Sequence, residues 1–214
     1  MKNFLGTGGA SVIAAALLLS VGGSGQALAQ QVNNLPVVQA LVRTAVPGAA
    51  TSVPTGVSGT DAEVAREAGW LKQNGWPLYA LVDKFSAGAP LSDEANCIAV
   101  AVYHEARGES LEGQVAVAKV IMNRAASGKY PTSWCGVVKQ PWQFSFVHHG
   151  QFPSVDEGSD AWHKALGVTR LAVSNVVSSV PTDCLWYHAD YVAPSWGRRL
   201  TRVDKIGAHI FYRS

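Results

Sequence analysis

The sequence carries little charge and no strong excess of either sign. Charged residues make up 15% of its 214 residues, and the net charge is +2. Nucleic-acid binding usually requires a basic patch or stripe, so this balance argues against a nucleic-acid partner. It also gives the protein no strong electrostatic attraction to an anionic membrane surface. The sequence therefore predicts that neither nucleic acid nor a charged lipid surface is the partner.

The sequence motifs of metal-dependent enzymes and of enzymes with a nucleophilic serine are missing as well. The cysteines Cys97, Cys135 and Cys184 form no C-x2-C pair, which zinc sites commonly use. His104 and Glu105 begin an H-E pair, but glycine replaces the second histidine of H-E-x-x-H. The G-x-S-x-G of serine hydrolases is absent too. We therefore predict no metal and no organic cofactor.

The cysteines leave the disulfide pattern open. In an oxidising compartment two of the three could form a disulfide, and any of the three pairings could occur. The geometry that a disulfide requires is spatial, so the sequence alone does not choose among these pairings.

Residues 1–29 have the layout of a secretory signal peptide. Lys2 gives a positive start, residues 12–21 are apolar, and Ala27-Leu28-Ala29 precedes Gln30 as an A-x-A cleavage site. The apolar stretch is shorter than the ~20 residues of a membrane-spanning helix, and no later stretch is long and apolar enough. We expect export to the periplasm or cell envelope, with no integral membrane segment after cleavage.

Composition divides the rest of the chain into three parts. Residues 30–60 are rich in small residues and proline, contain no aromatic residue and are predicted to be a disordered linker. Residues 61–89 have helical character and an aromatic group of Trp70, Trp76 and Tyr79, so we predict a helical segment that docks on the main domain. Residues 90–214 are predicted to form the compact main domain.

The main domain is predicted to be α+β and mainly helical, with a small antiparallel β portion. Apolar residues recur with the helical period in three stretches, and two short aromatic-rich stretches near the C-terminus favour strands. Residues 129–151, with two prolines and many aromatic residues, are predicted to be irregular. The predicted helices are one with Ser92 as N-cap that ends at Gly108, one over Leu111–Ala126 with Ser110 as N-cap, and one over 156–177 with or without a break at Gly167. Strands are predicted at 185–188 and 209–212.

Glu105 is the most informative residue, because it lies on an otherwise apolar helical face. Ile98 and Val102 precede it on the same face, so its carboxyl group is expected to be partly buried. Burial disfavours the charged form and raises the pKa of a carboxyl group, which suits a general acid at neutral pH. The alternative is a structural ion pair with Arg107 or Arg124.

Polar groups beside aromatic rings elsewhere in the chain suit a sugar-binding cleft. Sugars present apolar C–H faces and hydroxyl edges together, and the chain offers matching groups. The predicted substrate-binding residues are Gln143, Ser145, Tyr187, His188 and Trp196. The alternative for the aromatic members is an ordinary place in the core.

A second carboxylate near Glu105 would suit a glycosidase of the usual kind, which places two carboxyl groups about 5 to 9 Å apart. Glu109 is the nearest candidate in the sequence. Gly108 is expected to break the helix between the two residues, so helical spacing does not fix their separation. A single acid would suffice if the substrate supplies its own nucleophile.

The chain also contains a series of short blocks in a fixed order. They are residues 97–123, Tyr130-Pro131, Cys135-Gly136-Val137-Val138, Gln143-Phe144-Ser145-Phe146, Tyr187-His188-Ala189, Pro194-Ser195-Trp196 and residues 206–213. Together these blocks resemble the SleB/CwlJ-type cell-wall hydrolases, the spore cortex-lytic enzyme family. The resemblance covers about residues 95–213.

The resemblance implies a lysozyme-like cell wall hydrolase catalytic domain over residues 90–214. It implies cleavage of peptidoglycan glycan strands between N-acetylmuramic acid and N-acetylglucosamine, by lytic transglycosylation or hydrolysis, in cell-wall remodelling. It assigns acid/base catalysis to Glu105, with Tyr103 and Glu109 as accessory residues. We expect a monomer whose partner is the glycan strand. The alternatives are a peptidoglycan amidase or peptidase and a non-catalytic peptidoglycan-binding module.

The chain departs from the family pattern after Phe146. Members often continue with a cysteine-containing turn, whereas Val147-His148-His149-Gly150 follows here. The resemblance therefore implies that Cys135 lacks its usual partner and that Cys184 could replace it.

Overall fold

The structure, a computed structural model, describes residues 61–214, so the predicted signal peptide and linker lie outside the described residues. Between residues 61 and 214 the chain forms helices, one short 3-10 helix and a three-stranded sheet. This confirms the predicted α+β, mainly helical class. The elements are helices α1 (Asp61–Gln73), α2 (Leu78–Lys84), α3 (Asp93–Ala106), α4 (Leu111–Ala126), α5 (Trp134–Lys139) and α6 (Asp160–Val173), strand β1 (Cys184–Ala189), the 3-10 helix (Ser195–Arg199), and strands β2 (Thr201–Ile206) and β3 (His209–Arg213).

The two central helices begin at their predicted caps. Ser92 Oγ accepts a hydrogen bond from Ala95 N at 3.3 Å, and Ser110 Oγ accepts one from Gly113 N at 3.2 Å. α3 ends at Ala106, close to its predicted end, and α4 has its predicted bounds. Both helices are buried along most of their length and form the centre of the core. Among the helices of residues 61–214, none is both long and apolar enough to cross a membrane.

α6 is shorter than the helix predicted over 156–177, and it continues through Gly167 without a break. A side chain at Gly167 would collide with the carbonyl oxygen of Val82 in α2. Glycine here therefore allows α2 and α6 to approach closely, and it does not interrupt the helix.

The stretch predicted to be irregular, residues 129–151, contains the short helix α5. Ser133 Oγ accepts a hydrogen bond from Gly136 N at 3.0 Å. The carboxylate of Glu94, on α3, accepts hydrogen bonds from Trp134 N at 2.6 Å and Cys135 N at 3.2 Å. Because part of this capping comes from another helix, the local sequence pattern does not reveal it.

The sheet has the order β1-β3-β2, with antiparallel neighbours. The strands predicted at 185–188 and 209–212 are confirmed as β1 and β3, whereas the edge strand β2 was not predicted. Tyr187 lies opposite Phe211, and His188 lies opposite Ile210. Tyr187 and Phe211 face the helices, where Phe211 packs near Val120 of α4. Because successive strand residues point to opposite faces, His188 belongs to the outer face of the sheet.

α1 and α2 pack on α6 through buried residues that include Val64 and Leu71. The aromatic group that suggested a docking segment is not part of this contact. Trp70, Trp76 and Tyr79 are 62%, 41% and 69% exposed. The buried apolar residues of α1, Val64, Ala68 and Leu71, are spaced four and three apart and make the contact with the helical core instead.

The chain between α2 and α3 is held by one buried side chain of α6. The guanidinium group of Arg170 donates hydrogen bonds to the carbonyl oxygens of Phe85 at 2.9 Å, Ser86 at 3.1 Å and Ala89 at 2.7 Å. These bonds fix the path of the chain into α3. The division between a docking segment and a main domain near residue 90 stays a prediction.

The disulfide joins Cys97 on α3 to Cys135 on α5, with the two Cα atoms 5.2 Å apart. Cys184 is a free thiol, buried at the start of β1. The expectation that Cys184 could replace the partner of Cys135 is therefore wrong. The physical reason is packing: α5 lies against α3, while Cys184 packs with Ala116 and Val120 of α4.

Candidate active site

Glu105 lies in the last turn of α3 and is half-buried. Burial raises the pKa of its carboxyl group, and the positive charge of Arg124 opposes this rise. Within residues 61–214, Glu105 has no ion-pair partner, so the structural ion pair considered from the sequence is not formed. Arg107 instead places its guanidinium 5.1 Å from the ring centroid of Tyr103. The burial therefore favours the protonated form of Glu105 more than solvent would, and a protonated carboxyl group can donate a proton.

Arg124 is a buried cation surrounded by aromatic rings. Its guanidinium carbon lies 5.1 Å from the ring centroid of Tyr130 and 6.0 Å from those of Phe144 and Tyr187. Its Nε donates a hydrogen bond to the carbonyl oxygen of Leu185 at 2.8 Å. Cation–π contacts of this kind stabilise a desolvated positive charge. Arg124 therefore acts on Glu105 through its charge, without a direct ion pair.

Tyr187 lies on the helix-facing side of β1, near Glu105. Burial raises the pKa of its phenol, and the negative charge of Glu105 raises it further. The ring of Tyr187 makes edge contacts with His209, at 5.2 Å between centroids, and packs beside Phe211 at 5.7 Å. The phenol is thus neutral, and it is a hydrogen-bond donor held close to the candidate acid.

His188 and Trp196 lie elsewhere, on the outer face of the sheet. His188 Nε2 is 2.9 Å from the hydroxyl of Tyr212, and its Nδ1 is 2.8 Å from the carbonyl oxygen of Ala189. The ring of Trp196 lies 5.5 Å from His188, 5.6 Å from Tyr212 and 5.9 Å from Trp186. The structure therefore brings Tyr187 to Glu105 and places His188 with Trp196 on the opposite face.

Gln143 and Ser145 are exposed in the loop after α5, while Phe144 between them is buried. Phe146 stacks on His104, the neighbour of Glu105, with 5.0 Å between ring centroids. The two phenylalanines therefore anchor the loop beside the end of α3. Gln143 and Ser145, the polar residues of this loop, are exposed to solvent.

The loop also contains a residue that sequence reasoning missed. Trp142 is fully exposed, and its backbone has a φ of 67°, a conformation that bulky residues rarely adopt. Backbone strain of this kind often accompanies functional sites. The only sequence signal for it was its position next to Gln143.

Glu109 holds a turn of the sheet. Its Oε2 accepts a hydrogen bond from Ala208 N at 2.8 Å, and its Oε1 lies 3.7 Å from Nδ1 of His209. A side chain at Gly207, whose φ is 59°, would collide with this carboxylate. Glu109 thus joins the turn between α3 and α4 to the β2–β3 turn. Its contacts suit an accessory, positioning residue better than a second reacting carboxylate.

Tyr103, the other predicted accessory residue, is buried in the helical core. Its hydroxyl accepts a hydrogen bond from Asp156 N at 3.4 Å, and its ring makes an edge contact with Trp162 at 5.9 Å. These contacts attach the loop before α6 to α3. Tyr103 therefore supports, through the helical core, the helix that carries Glu105.

The amidase or peptidase alternative would need a reactive cysteine or a bound metal ion. Two cysteines are joined in the disulfide, and burial raises the pKa of the Cys184 thiol to about 11, which keeps it protonated and unreactive. No group of three or more His, Cys, Asp or Glu side chains in this part of the chain lies close enough to hold a metal ion.

Comparison with known proteins gives related sequences and structures. The cell wall hydrolase family matches residues 108–212, beginning three residues after Glu105. The spore cortex-lytic enzyme of Bacillus subtilis strain 168 is 34% identical over 148 residues, which cover 65% of this chain and 45% of that protein. The spore cortex-lytic enzyme of Oceanobacillus iheyensis is 34% identical over 122 residues, covering 56% of this chain and 41% of that one. The chain thus spans less than half the length of these curated relatives.

Two solved structures are also similar. The catalytic domain of the germination-specific lytic transglycosylase SleB from Bacillus anthracis is 33% identical, with a TM-score of 0.48, and the match covers 58% of this chain and all of that one. The catalytic domain of Bacillus cereus SleB is 32% identical, with a TM-score of 0.48, over 60% of this chain and 96% of that one.

Proposed function

This chain belongs to the cell wall hydrolase family of the SleB/CwlJ type, and we propose that it cleaves peptidoglycan glycan strands with Glu105 as the acid/base. The bond cleaved is the glycosidic bond between N-acetylmuramic acid and N-acetylglucosamine. The observation that carries the proposal is the state of Glu105: half-buried, without an ion pair and with a raised pKa. The relatives named as cortex-lytic enzymes and lytic transglycosylases support the reaction class.

The proposed reaction begins with protonated Glu105, which donates its proton to the glycosidic oxygen. The bond to the muramic carbon breaks, the N-acetylglucosamine leaves as an alcohol, and an oxocarbenium-like centre forms at that carbon. Glu105, now a carboxylate, takes a proton from the muramic 6-hydroxyl or from a water molecule as either oxygen attacks the centre. The first route gives a 1,6-anhydro product, and the second gives a reducing end.

The surrounding residues have different proposed parts in this reaction. The charge of Arg124 stabilises the carboxylate form of Glu105 between the two proton transfers. Tyr187, Gln143 and Ser145 orient the sugar, since Tyr187 lies near Glu105 and the other two are presented by the anchored loop. Contact between the glycan and either His188 or Trp196 stays a prediction, and it would have to occur on the outer face of the sheet.

We further propose that the protein is exported and acts in the cell envelope as a monomer. The relatives named as spore cortex-lytic enzymes support a place of action at the cell wall. Export itself rests on the signal peptide predicted for residues 1–29. A role in general wall remodelling follows from this placement, since it requires only access to peptidoglycan.

Digestion of purified sacculi followed by mass spectrometry of the soluble products tests the proposal. We expect disaccharide-peptide fragments that end in 1,6-anhydro or reducing muramic acid. Release of free peptides from intact glycan strands would instead indicate the amidase or peptidase alternative. Binding without any soluble product would indicate a non-catalytic module.

The pH dependence of turnover follows from the burial of Glu105. Because its pKa is raised, the group stays protonated to a higher pH than an exposed glutamate, whose pKa is about 4.3. Activity on soluble glycan fragments should therefore fall on the alkaline side with an apparent pKa above that value. A pH profile of turnover measures this limb directly.

A Glu105→Asp variant provides the control for the pH profile. The variant keeps a titrating carboxyl group but moves it by the length of one methylene group. The alkaline limb of its pH profile should therefore shift, and its turnover rate should change as well. An alkaline limb at the same pH in both proteins would show that another group is the acid.

A further inference from the structure

An open cavity, a groove at the surface with a volume of about 490 Å³, lies between α1 and the residues that follow α6. Its size falls in the ~300–1,000 Å³ range of small-ligand sites. None of its residues belongs to the site around Glu105, so the mechanism leaves it without a role. The residues that line it include Gly69, Lys72, Gln73, Ser174, Asn175 and Val176.

Two ammonium groups hold the α6 side of the cavity in place. Lys72 Nζ donates a hydrogen bond to the carbonyl oxygen of Val176 at 2.6 Å, and Lys119 Nζ donates one to Asn175 Oδ1 at 3.0 Å. Lys119 is buried, and Asn175 has a φ of 56°. Asn175 is itself exposed, so its side-chain amide lies at the molecular surface, and an amide offers both donors and an acceptor.

Two large aromatic side chains lie near the C-terminal end of α1: Trp70 is in its last turn, and Trp76 N donates a hydrogen bond to the carbonyl oxygen of Leu71; Tyr79 follows in the first turn of α2. All three are exposed: the exposed fractions of Trp70, Trp76 and Tyr79 are 62%, 41% and 69%. Trp70 and Gln73 are three residues apart on α1, which makes them neighbours on the helix surface. Gly75, with a φ of 84°, turns the chain so that Trp76 follows directly at this end of the helix. Exposed apolar surface rimmed by polar groups is typical of an interaction site.

We propose that this surface, the α1 surface (Trp70, Gln73, Trp76, Tyr79 and Asn175), is a second binding site for the glycan strand, separate from Glu105. Sugar rings combine apolar C–H faces with hydroxyl and acetamido edges. The exposed aromatic rings match the faces, and the amide groups of Gln73 and Asn175 match the edges. The proposal rests on the proposed function, because it takes the same polymer as the ligand.

A second site on the same domain has a clear physical use. The substrate is an insoluble polymer, and two sites on one rigid body that engage it together raise the effective concentration of each. Residues 61–84 form α1 and α2, which are attached to the core of the domain through α6. The α1 surface would therefore keep the enzyme on the wall between cleavage events.

Binding of purified sacculi in a sedimentation assay tests the proposal. The parent carries Glu105→Gln so that the sacculi stay intact, and the test variant adds Trp70→Ala and Gln73→Ala. We expect its Kd to rise about tenfold, which corresponds to ~1.4 kcal/mol. Asn96→Ala, at an exposed polar position on α3, is the matched control and should bind as the parent does. Circular dichroism melting verifies that each variant is folded.

The same two substitutions in the active enzyme give a second measurement. The loss of turnover should be larger on sacculi than on short soluble fragments, because only a long strand can engage both sites. Equal sacculus binding by the folded variant and its parent would overturn the proposal. If the wild-type enzyme solubilises sacculi and the folded variant binds them as tightly as its parent, only the second site is removed and the proposed function stays intact. Sacculi that the wild-type protein does not digest would contradict the proposed function instead.

Discussion

Glu105→Gln is expected to lower turnover of purified sacculi by about 10²–10⁴-fold, because the amide cannot donate a proton and take one back. The substitution keeps the size and shape of a side chain that is half-buried in the last turn of α3. Since burial already favours the neutral form of Glu105, a neutral amide should fit the site without loss of stability. The measurement is the rate of sacculus solubilisation, with mass spectrometry of the products.

The control for this prediction is Glu112→Gln. Glu112 is exposed in the first turn of α4, so the same chemical change there should leave turnover near that of the wild-type enzyme. Sacculus binding and thermal unfolding of the Glu105→Gln protein should also match the wild type. A folded Glu105→Gln protein with wild-type turnover would remove Glu105 from the mechanism.

Loss of the Cys97–Cys135 disulfide is expected to have the largest effect on stability. The bond closes a loop with a sequence separation of 38 residues, and the chain-entropy account assigns about 4 kcal/mol to a loop of this size. The Cys97→Ser/Cys135→Ser protein should therefore unfold at a clearly lower urea concentration than the wild type. Because α3 also carries Glu105, a loosened contact between α3 and α5 should reduce activity at elevated temperature before it does so in the cold.

A reducing agent supplies the control for the disulfide prediction. It should lower the stability of the wild type and of Cys184→Ala, which both keep the bond, and leave the Cys97→Ser/Cys135→Ser protein unchanged. Cys184 is buried and its thiol pKa is raised, so it should not exchange with the disulfide. Urea midpoints that do not respond to the reductant in any of the three proteins would contradict the assignment.

Local patterns in the sequence were sufficient to predict the two helices at the centre of the fold, α3 and α4. The sequence predicts Ser92 and Ser110 as N-caps. Their hydroxyls accept hydrogen bonds from backbone N–H groups three residues ahead, so the whole interaction lies within a short sequence pattern. The same periodicity placed Glu105 on an apolar face, and the half-buried carboxyl group agrees with it. The short helix α5 and the edge strand β2 were not found, because their stability depends on partners far away in the chain.

The sequence also presented neighbouring residues as one site that the tertiary structure divides. Tyr187 and His188 are adjacent, yet alternation along β1 sends one toward Glu105 and the other to the outer face. The aromatic environment of Arg124 is likewise invisible in the sequence, since its rings come from the loop after α4, the loop after α5 and β1. Such a cage exists only after the helices and the sheet have packed together.

By itself, then, the sequence determined the helical class, the ends of α3 and α4, the family resemblance and the place of Glu105 on a buried face. Each of these depends on contacts or periods within a few residues. Only the tertiary structure decided that Cys97 pairs with Cys135 and that Trp70 faces solvent. It alone also decided that Arg124 acts on Glu105 through its charge. These outcomes depend on which elements pack against each other, and the free energy of that packing is a property of the whole domain.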